Sequence, residues 1–318
     1  MRQGDWQPDP EQMAVMPPVS GNTINGLGEG EWRAPVPVYW APDPGDIAHG
    51  AAQRWFYQKN DHPALNAGRA ARRAEEAVAL GPLAGVARED TAEGWTARIK
   101  AEARALGAEA VGIAEVDPRW AYEGRALDWR HIVVLAIAMD YEVMRLAPQI
   151  EAGVEVVEQY ARGMKTSKAL AGWLRAQGHD AVPEHGPFVG ALPLIPAAIA
   201  AGFGELGKHG SLIHPELGAM FRLAAVLTDV PLIADAPIDF GADGFCAACR
   251  LCETACPPAA IQPDKQTVRG AVKWYVDFDR CLPYFNETAG CAICLSACPF
   301  SRPGIGDNLV AKLARRRG

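Results

Sequence analysis

Cys246-Ala-Ala-Cys249-Arg-Leu-Cys252-Glu-Thr-Ala-Cys256-Pro257 is the stretch on which the reading of this chain turns. Three cysteines at intervals of three put three thiolates round one small volume, and the fourth, followed by proline, is turned away from it. This is the C-x2-C-x2-C-x3-C-P run of bacterial ferredoxins, in which the fourth cysteine serves the other of two clusters. A second group, Cys281 followed by Cys291-Ala-Ile-Cys294-Leu-Ser-Ala-Cys298-Pro299, repeats it with the first spacing stretched to nine intervening residues. Together the groups use all eight cysteines. The spacing predicts two [4Fe–4S] clusters with crossed ligation: Cys246, Cys249, Cys252 and Cys298 on one, and Cys256, Cys281, Cys291 and Cys294 on the other. A disulfide framework fits poorly, because the cysteines fall in about a sixth of a 318-residue chain. Zinc favours isolated C-x2-C pairs, whereas here a third cysteine follows each pair at cluster spacing.

Outside this segment the composition narrows the field. A formal net charge of −7 gives no whole-chain attraction for a polyanion, so nucleic acid is not favoured as a partner. The first residues carry neither an apolar export signal nor paired arginines, which makes the cytoplasm the expected location. The longest uncharged stretch, residues 188–204, is broken by Pro193 and Pro196 and is shorter than the roughly 20 apolar residues that span a bilayer. It reads as buried core.

Four regions are expected along the chain. Residues 1–50 form a Pro-rich N-terminal arm, with eight prolines before residue 45 and Trp32, Tyr39 and Trp40 as points of attachment. Residues 51–240 form the main core. There a helix from Thr91 carries Trp95, Ile99, Ala103 and Leu106 on one face and stops at Gly107. A strand follows from Ala110 to Val116. The run from His131 to Met139 is apolar after its first residue and predicts a strand covered on both faces. A helix over 154–177 has one mostly apolar stripe that includes Tyr160, and Met220 to Leu232 is strand-like. Residues 241–305 hold the clusters, and 306–318 form a basic C-terminal tail with Lys312 and Arg315 to Arg317. Helices interleaved with buried strands suggest an α/β or α+β core.

Gly202-Phe-Gly204-Glu-Leu-Gly207 matches the dinucleotide fingerprint G-x-G-x-x-G, yet it follows the helix-like Pro196 to Ala201, where a nucleotide site needs a strand. The same glycines belong to a longer string: Ala201-Gly-Phe-Gly-Glu-Leu-Gly-Lys-His-Gly210, Ile213-His-Pro-Glu-Leu-Gly218, Arg222, Thr228-Asp-Val-Pro-Leu232, Pro237-Ile-Asp-Phe-Gly241 and Phe245-Cys246. With the two cysteine groups, this order resembles the reductive dehalogenases, iron–sulfur enzymes that carry a corrinoid. The related epoxyqueuosine reductases share that cofactor plan.

The resemblance implies an α+β fold: a nitroreductase-like corrinoid-binding core with a C-terminal ferredoxin-like module. It implies a cobalamin-type corrinoid beside the two clusters, electrons passing through them to cobalt, and reductive cleavage of a carbon–halogen bond in an organohalide substrate. An external ferredoxin or flavodoxin-type donor would supply the electrons. By position in the family pattern, Tyr160 would give the proton to carbon and Lys208 would be the assisting cation, with Arg222 as second choice unless it pairs with Asp229 or Glu205. A cation beside a tyrosine stabilises the phenolate and so eases proton donation. His209 and His214 would be structural, because the D-x-H-x-x-G pattern of histidine-ligated cobalt is absent.

Two alternatives stand beside this one. An epoxyqueuosine reductase would be expected to show an aspartate near the corrinoid and basic surface after the clusters, whereas here about 20 residues follow Cys298. A non-catalytic electron-transfer protein would have no use for a corrinoid.

Overall fold

The apolar run after His131 forms the strand His131–Ala138, buried at every position from His131 to Ile137. In the computed structural model, which describes residues 6–317, it is a central strand of a four-stranded antiparallel sheet. Ala110–Glu115 pairs with it on one side and Phe221–Thr228 on the other, and Ala181–His185 completes the far edge. Side chains alternate across a sheet, so one set of strand residues packs each face. Val133, Leu135, Ala224 and Val226 meet Trp95 and Ile99 of the helix Ala92–Ala105 and Leu170 and Leu174 of the long helix Ile150–Ala176. Ile132, Val134, Ala225 and Leu227 meet Ala197 and Ala198 of the short helix Leu194–Ala200, with Phe203 beside them. Each fully buried large aliphatic side chain contributes about 1.5–3 kcal/mol, so both faces hold the sheet.

The expected elements lie close to their observed bounds. Thr91 caps the helix Ala92–Ala105 by accepting from the Gly94 N–H at 3.0 Å, and Gly107 follows its end at φ +102°. The long helix begins at Ile150, four residues earlier than its apolar stripe indicated. The G-x-G-x-x-G stretch is no dinucleotide loop. Gly204 lies at φ +130°, where a Cβ would come within 2.0 Å of the Ile213 carbonyl oxygen, because Glu205–Leu206 pairs at once with Leu212–Ile213 as a small hairpin. The Glu205 carboxylate then accepts from the N–H groups of Phe240, Ala242 and Asp243 at 2.9–3.0 Å, fixing the start of the cysteine-bearing helix Ala242–Ala248 against the core.

Both termini carry helices that the sequence reading did not assign. The arm is not merely extended. It contains the short helices Pro10–Ala14 and Gly21–Ile24, and polar side chains stitch it to the helix Phe278–Glu287 of the cluster module. Gln12 donates to the Pro283 carbonyl at 3.0 Å, the Gly21 N–H to Asp279 at 2.8 Å and Asn22 to Asp277 at 2.8 Å. Tyr39 is buried and donates to Asn286 at 2.8 Å, but Trp32 is 58% exposed and anchors nothing in the core. The expected basic tail is the helix Ile305–Arg317, whose Leu309, Val310 and Leu313 pack near Cys246, Cys298 and Phe300. The side chains of Arg316 and Arg317, and Gly318 entirely, lie outside the described residues. No helix among the described residues is long and apolar enough to cross a membrane.

Candidate active site

The eight cysteines are all unbridged, and the fold gathers them into two sets. Burial pushes the Cys252 thiol up to about 12, and Cys246, Cys298 and Cys249 push it further in the same direction. Burial likewise raises Cys298 to about 12, with Cys246 and Cys249 beside it. In the second set, burial raises Cys281, with Cys291 and Cys256 as its nearest thiol neighbours, and lifts Cys291 to about 11. Cys294 is raised by burial and by Cys291, Cys281 and Cys256, and Cys252 of the first set also acts on it. The structure thus brings together Cys246, Cys249, Cys252 and Cys298, and separately Cys256, Cys281, Cys291 and Cys294, with Cys252 and Cys294 at the junction. The second set lines a cavity of about 210 Å³. Left-handed backbone at Cys291 (φ +52°) and Ala292 (φ +67°) curls the chain round it before the helix Ile293–Ala297 begins.

Buried thiols crowded together without countercharge stay protonated, and the thiolate is the iron ligand. A cluster's iron supplies the missing positive charge and reverses that preference. Four cysteines round a space of this size fit a cubane, and no disulfide competes for them.

Above the second set lies a cleft in two compartments, of about 300 Å³ and 560 Å³. Trp40, Tyr160, Pro187, Phe188 and Arg222 line both. Tyr160 is presented by the long helix and Arg222 by the sheet strand Phe221–Thr228. Their side chains meet there, with Arg222 Nη1 3.5 Å from Tyr160 Oη and the guanidinium 5.4 Å from the tyrosine ring centre. Arg222 Nε lies 3.4 Å from Met139 Sδ, and its guanidinium has no carboxylate partner among the described residues. Arg222 also lines the cysteine cavity, so it touches all three spaces.

Lys208 is not the cation beside Tyr160. It is 2% exposed and turned toward the first cysteine set, its Nζ 3.8 Å from Glu253 Oε2 and 5.1 Å from the Trp274 ring centre, and it lines neither compartment. A buried ammonium needs a carboxylate, and Glu253 supplies one on that side of the molecule. The alternative partners for Arg222 are also spoken for: Asp229 accepts from the Arg130 N–H at 2.9 Å, and Glu205 caps the cysteine helix. His214 accepts from the Glu216 N–H at 3.1 Å and packs between Phe203 and Phe221, as a structural histidine should.

Several cleft residues were not singled out from sequence. Glu184 is held above the usual carboxylate range by burial and accepts from the Ala191 N–H at 3.0 Å. Arg69, Arg72 and Arg73 line the larger compartment from the helix Pro63–Ala77, with the Arg72 guanidinium 4.6 Å over the Phe188 ring. Their spacing at 69 and 72/73 places them on one helix face, a signal in the sequence that could have found them.

Residues 245–301 match the family of 4Fe-4S dicluster domains. The chain is 33% identical over 184 residues to the tetrachloroethene reductive dehalogenase of Sulfurospirillum multivorans, covering 55% of this chain and 36% of that protein. It is 31% identical over 162 residues to the epoxyqueuosine reductase of Escherichia coli strain K12, covering 46% and 41%. Among solved structures, a catabolic reductive dehalogenase in complex with 3-bromo-4-hydroxybenzoic acid superposes with a TM-score of 0.76 at 25% identity, over 95% of this chain and 46% of that one. A reductive dehalogenase described as suggesting a mechanism for B12-dependent dehalogenation gives 0.67 at 27% identity, over 78% and 37%. The chain spans half or less of the length of each. It carries a 4Fe-4S dicluster domain on an α+β core and is a relative of the reductive dehalogenases, with the epoxyqueuosine reductases as further kin.

Proposed function

We propose that this chain is a corrinoid-dependent reductive dehalogenase that removes halide from an aromatic substrate. The observation that carries the reading is Arg222, which joins the Tyr160 cleft to the cavity of the second cysteine set. A redox cofactor placed between those spaces has an electron source on one side and a proton donor on the other. A corrinoid bound there would supply the low-valent cobalt that cleaves the carbon–halogen bond, as the B12-dependent activity named for one structural relative suggests.

The chain's own residues have separable tasks. Tyr160 gives its phenolic proton to the carbon that loses halide, and Arg222 stabilises the phenolate left behind. Trp40 and Phe188 offer apolar walls to a ring, and Arg69, Arg72 and Arg73 offer charge to an acidic substituent, in keeping with the bromohydroxybenzoate held by one relative. Cys246, Cys249, Cys252 and Cys298 hold the cluster nearer the surface, where a ferredoxin or flavodoxin-type donor delivers electrons, and Cys256, Cys281, Cys291 and Cys294 hold the one nearer the cleft. The acids that line the cleft are Glu184 and Glu76, and no aspartate lines either compartment among the described residues, which favours this reading over an epoxyqueuosine reductase.

The test is metal content after anaerobic reconstitution with iron, sulfide and hydroxocobalamin. About eight irons and one retained cobalt per chain, with halide released from bromohydroxybenzoates, are expected. Eight irons without cobalt would leave an electron-transfer protein and end the proposal.

A further inference from the structure

His209 stands at the wall of the cysteine cavity with one nitrogen unused. The residue is 6% exposed. Its Nδ1 accepts from the Ser211 N–H at 3.2 Å, which puts the ring proton on Nε2, and Nε2 is buried without a hydrogen-bond partner. The ring borders the same 210 Å³ space as Cys256, Cys281, Cys291 and Cys294. Gly207 makes room for it, since a Cβ there would lie 2.7 Å from Cε1 and 2.9 Å from Nε2. The preceding residue turns the other way: the Lys208 ammonium acts on Cys246 and Cys252 and is paired with Glu253. Adjacent residues of one loop therefore address different cysteine sets.

Buried donors are almost always satisfied, and the acceptors this cavity is built to receive are the sulfurs of a cluster. We propose that His209 is a positioning residue that donates its Nε2–H to a sulfur of the cluster held by Cys256, Cys281, Cys291 and Cys294, and thereby raises that cluster's reduction potential relative to its neighbour's. The added electron makes a cluster more negative, and a hydrogen bond to its sulfur favours the more negative state. Electrons entering at the first set then settle beside the cleft. The inference rests on the crossed ligand assignment but not on the identity of the substrate.

Anaerobic potentiometric titration of the iron-loaded chain, followed by electron paramagnetic resonance, tests it. In His209→Phe one of the two midpoints shifts to lower potential. The reduced-to-oxidised ratio of that cluster at a fixed potential falls about tenfold, the equivalent of about 59 mV for one electron, while the other midpoint stays in place. His209→Gln, which keeps a donor, restores part of the shift. Should His209→Phe fail to take up iron, the unmutated protein labelled with 15N-histidine answers instead, through a histidine-nitrogen hyperfine coupling on one reduced cluster. Two unmoved midpoints in a variant that holds its full iron, or no such coupling in the labelled protein, overturns the proposal. An iron content of about four per chain in the unmutated protein overturns it too, and marks the ligand assignment as the step that failed.

Discussion

The two cysteine sets differ in what lies beyond them. Of the first set, Cys246 and Cys298 pack with the C-terminal helix, and Cys249 borders a surface hollow shared with Phe245, Ala248, Leu251 and Leu313. Cys256, Cys281, Cys291 and Cys294 face inward, onto a cavity that Arg222 connects to the cleft. Three ligands of the first set come from the short stretch where the helix Ala242–Ala248 gives way to the helix Leu251–Ala255, and the fourth, Cys298, from the other cysteine group. The second set mirrors this, with Cys281, Cys291 and Cys294 from the second group and Cys256 from the end of the helix Leu251–Ala255. Both sets are therefore assembled three-plus-one from the two cysteine groups, but one borders the surface and the other opens onto the cleft. The difference gives the module a direction.

Four comparisons would break or sharpen that contrast. The largest effect is expected from Cys294→Ala, which removes a ligand at the junction of the sets: iron falls from about eight to about four per chain and dehalogenation stops. Cys249→Ala should lose the same amount of iron but a different paramagnetic signal, and equal loss of both signals in each variant would deny that the sets are separate. Next comes Tyr160→Phe, which should lower turnover on the order of 10²–10⁴-fold with iron and cobalt contents unchanged; full activity would remove Tyr160 from proton transfer.

A third comparison sets the two cations against each other. Lys208→Met takes away one of the partners of the buried Glu253 and should destabilise the protein by about 1–3 kcal/mol, read as a lower midpoint in chemical unfolding. Arg222→Met leaves no buried carboxylate behind, so its main loss should be turnover. The reverse pattern would return Lys208 to the cleft.

The smallest effect concerns Glu184. Burial raises its folded-state pKa above the unfolded value, so its contribution to stability is fully present below the unfolded pKa and is lost as pH rises through the folded one. Glu184→Gln should therefore raise the melting temperature by a few degrees at pH 8, and the gain should shrink toward pH 5. A gain that grows on acidification would show that the carboxylate form is the favoured one.

How much of this was legible in advance follows from the range of each interaction. Cluster ligation is written in spacings of two and three residues, so the cysteine run could be read directly. The central strand was legible because seven consecutive buried positions leave a continuous apolar signature. Tyr160 was picked by its position in the family pattern, since its place on an apolar helix stripe marked it equally as a core residue. The choice between Lys208 and Arg222 was not legible, because it depends on Glu253, 45 residues from Lys208, and on whether strand alternation points Arg222 toward the long helix. The arm misled for a similar reason. Its prolines declare extended chain, but Asn22 and Gln12 have partners more than 250 residues away, and nothing local in the sequence announces them.

That clasp also sets an order of events. Asn22 meets Asp277 across 255 residues of chain, and the helix it grips carries Cys281. Contacts between such remote segments form late, because the loop between them must first be closed at a cost in entropy. During synthesis the arm emerges long before its partner exists, so Gln12 and Asn22 wait for these contacts until residues 277–287 have been made. The clasp is therefore a late fastening: it can close only once the helix that carries Cys281 has been made, and it then ties that helix to the arm.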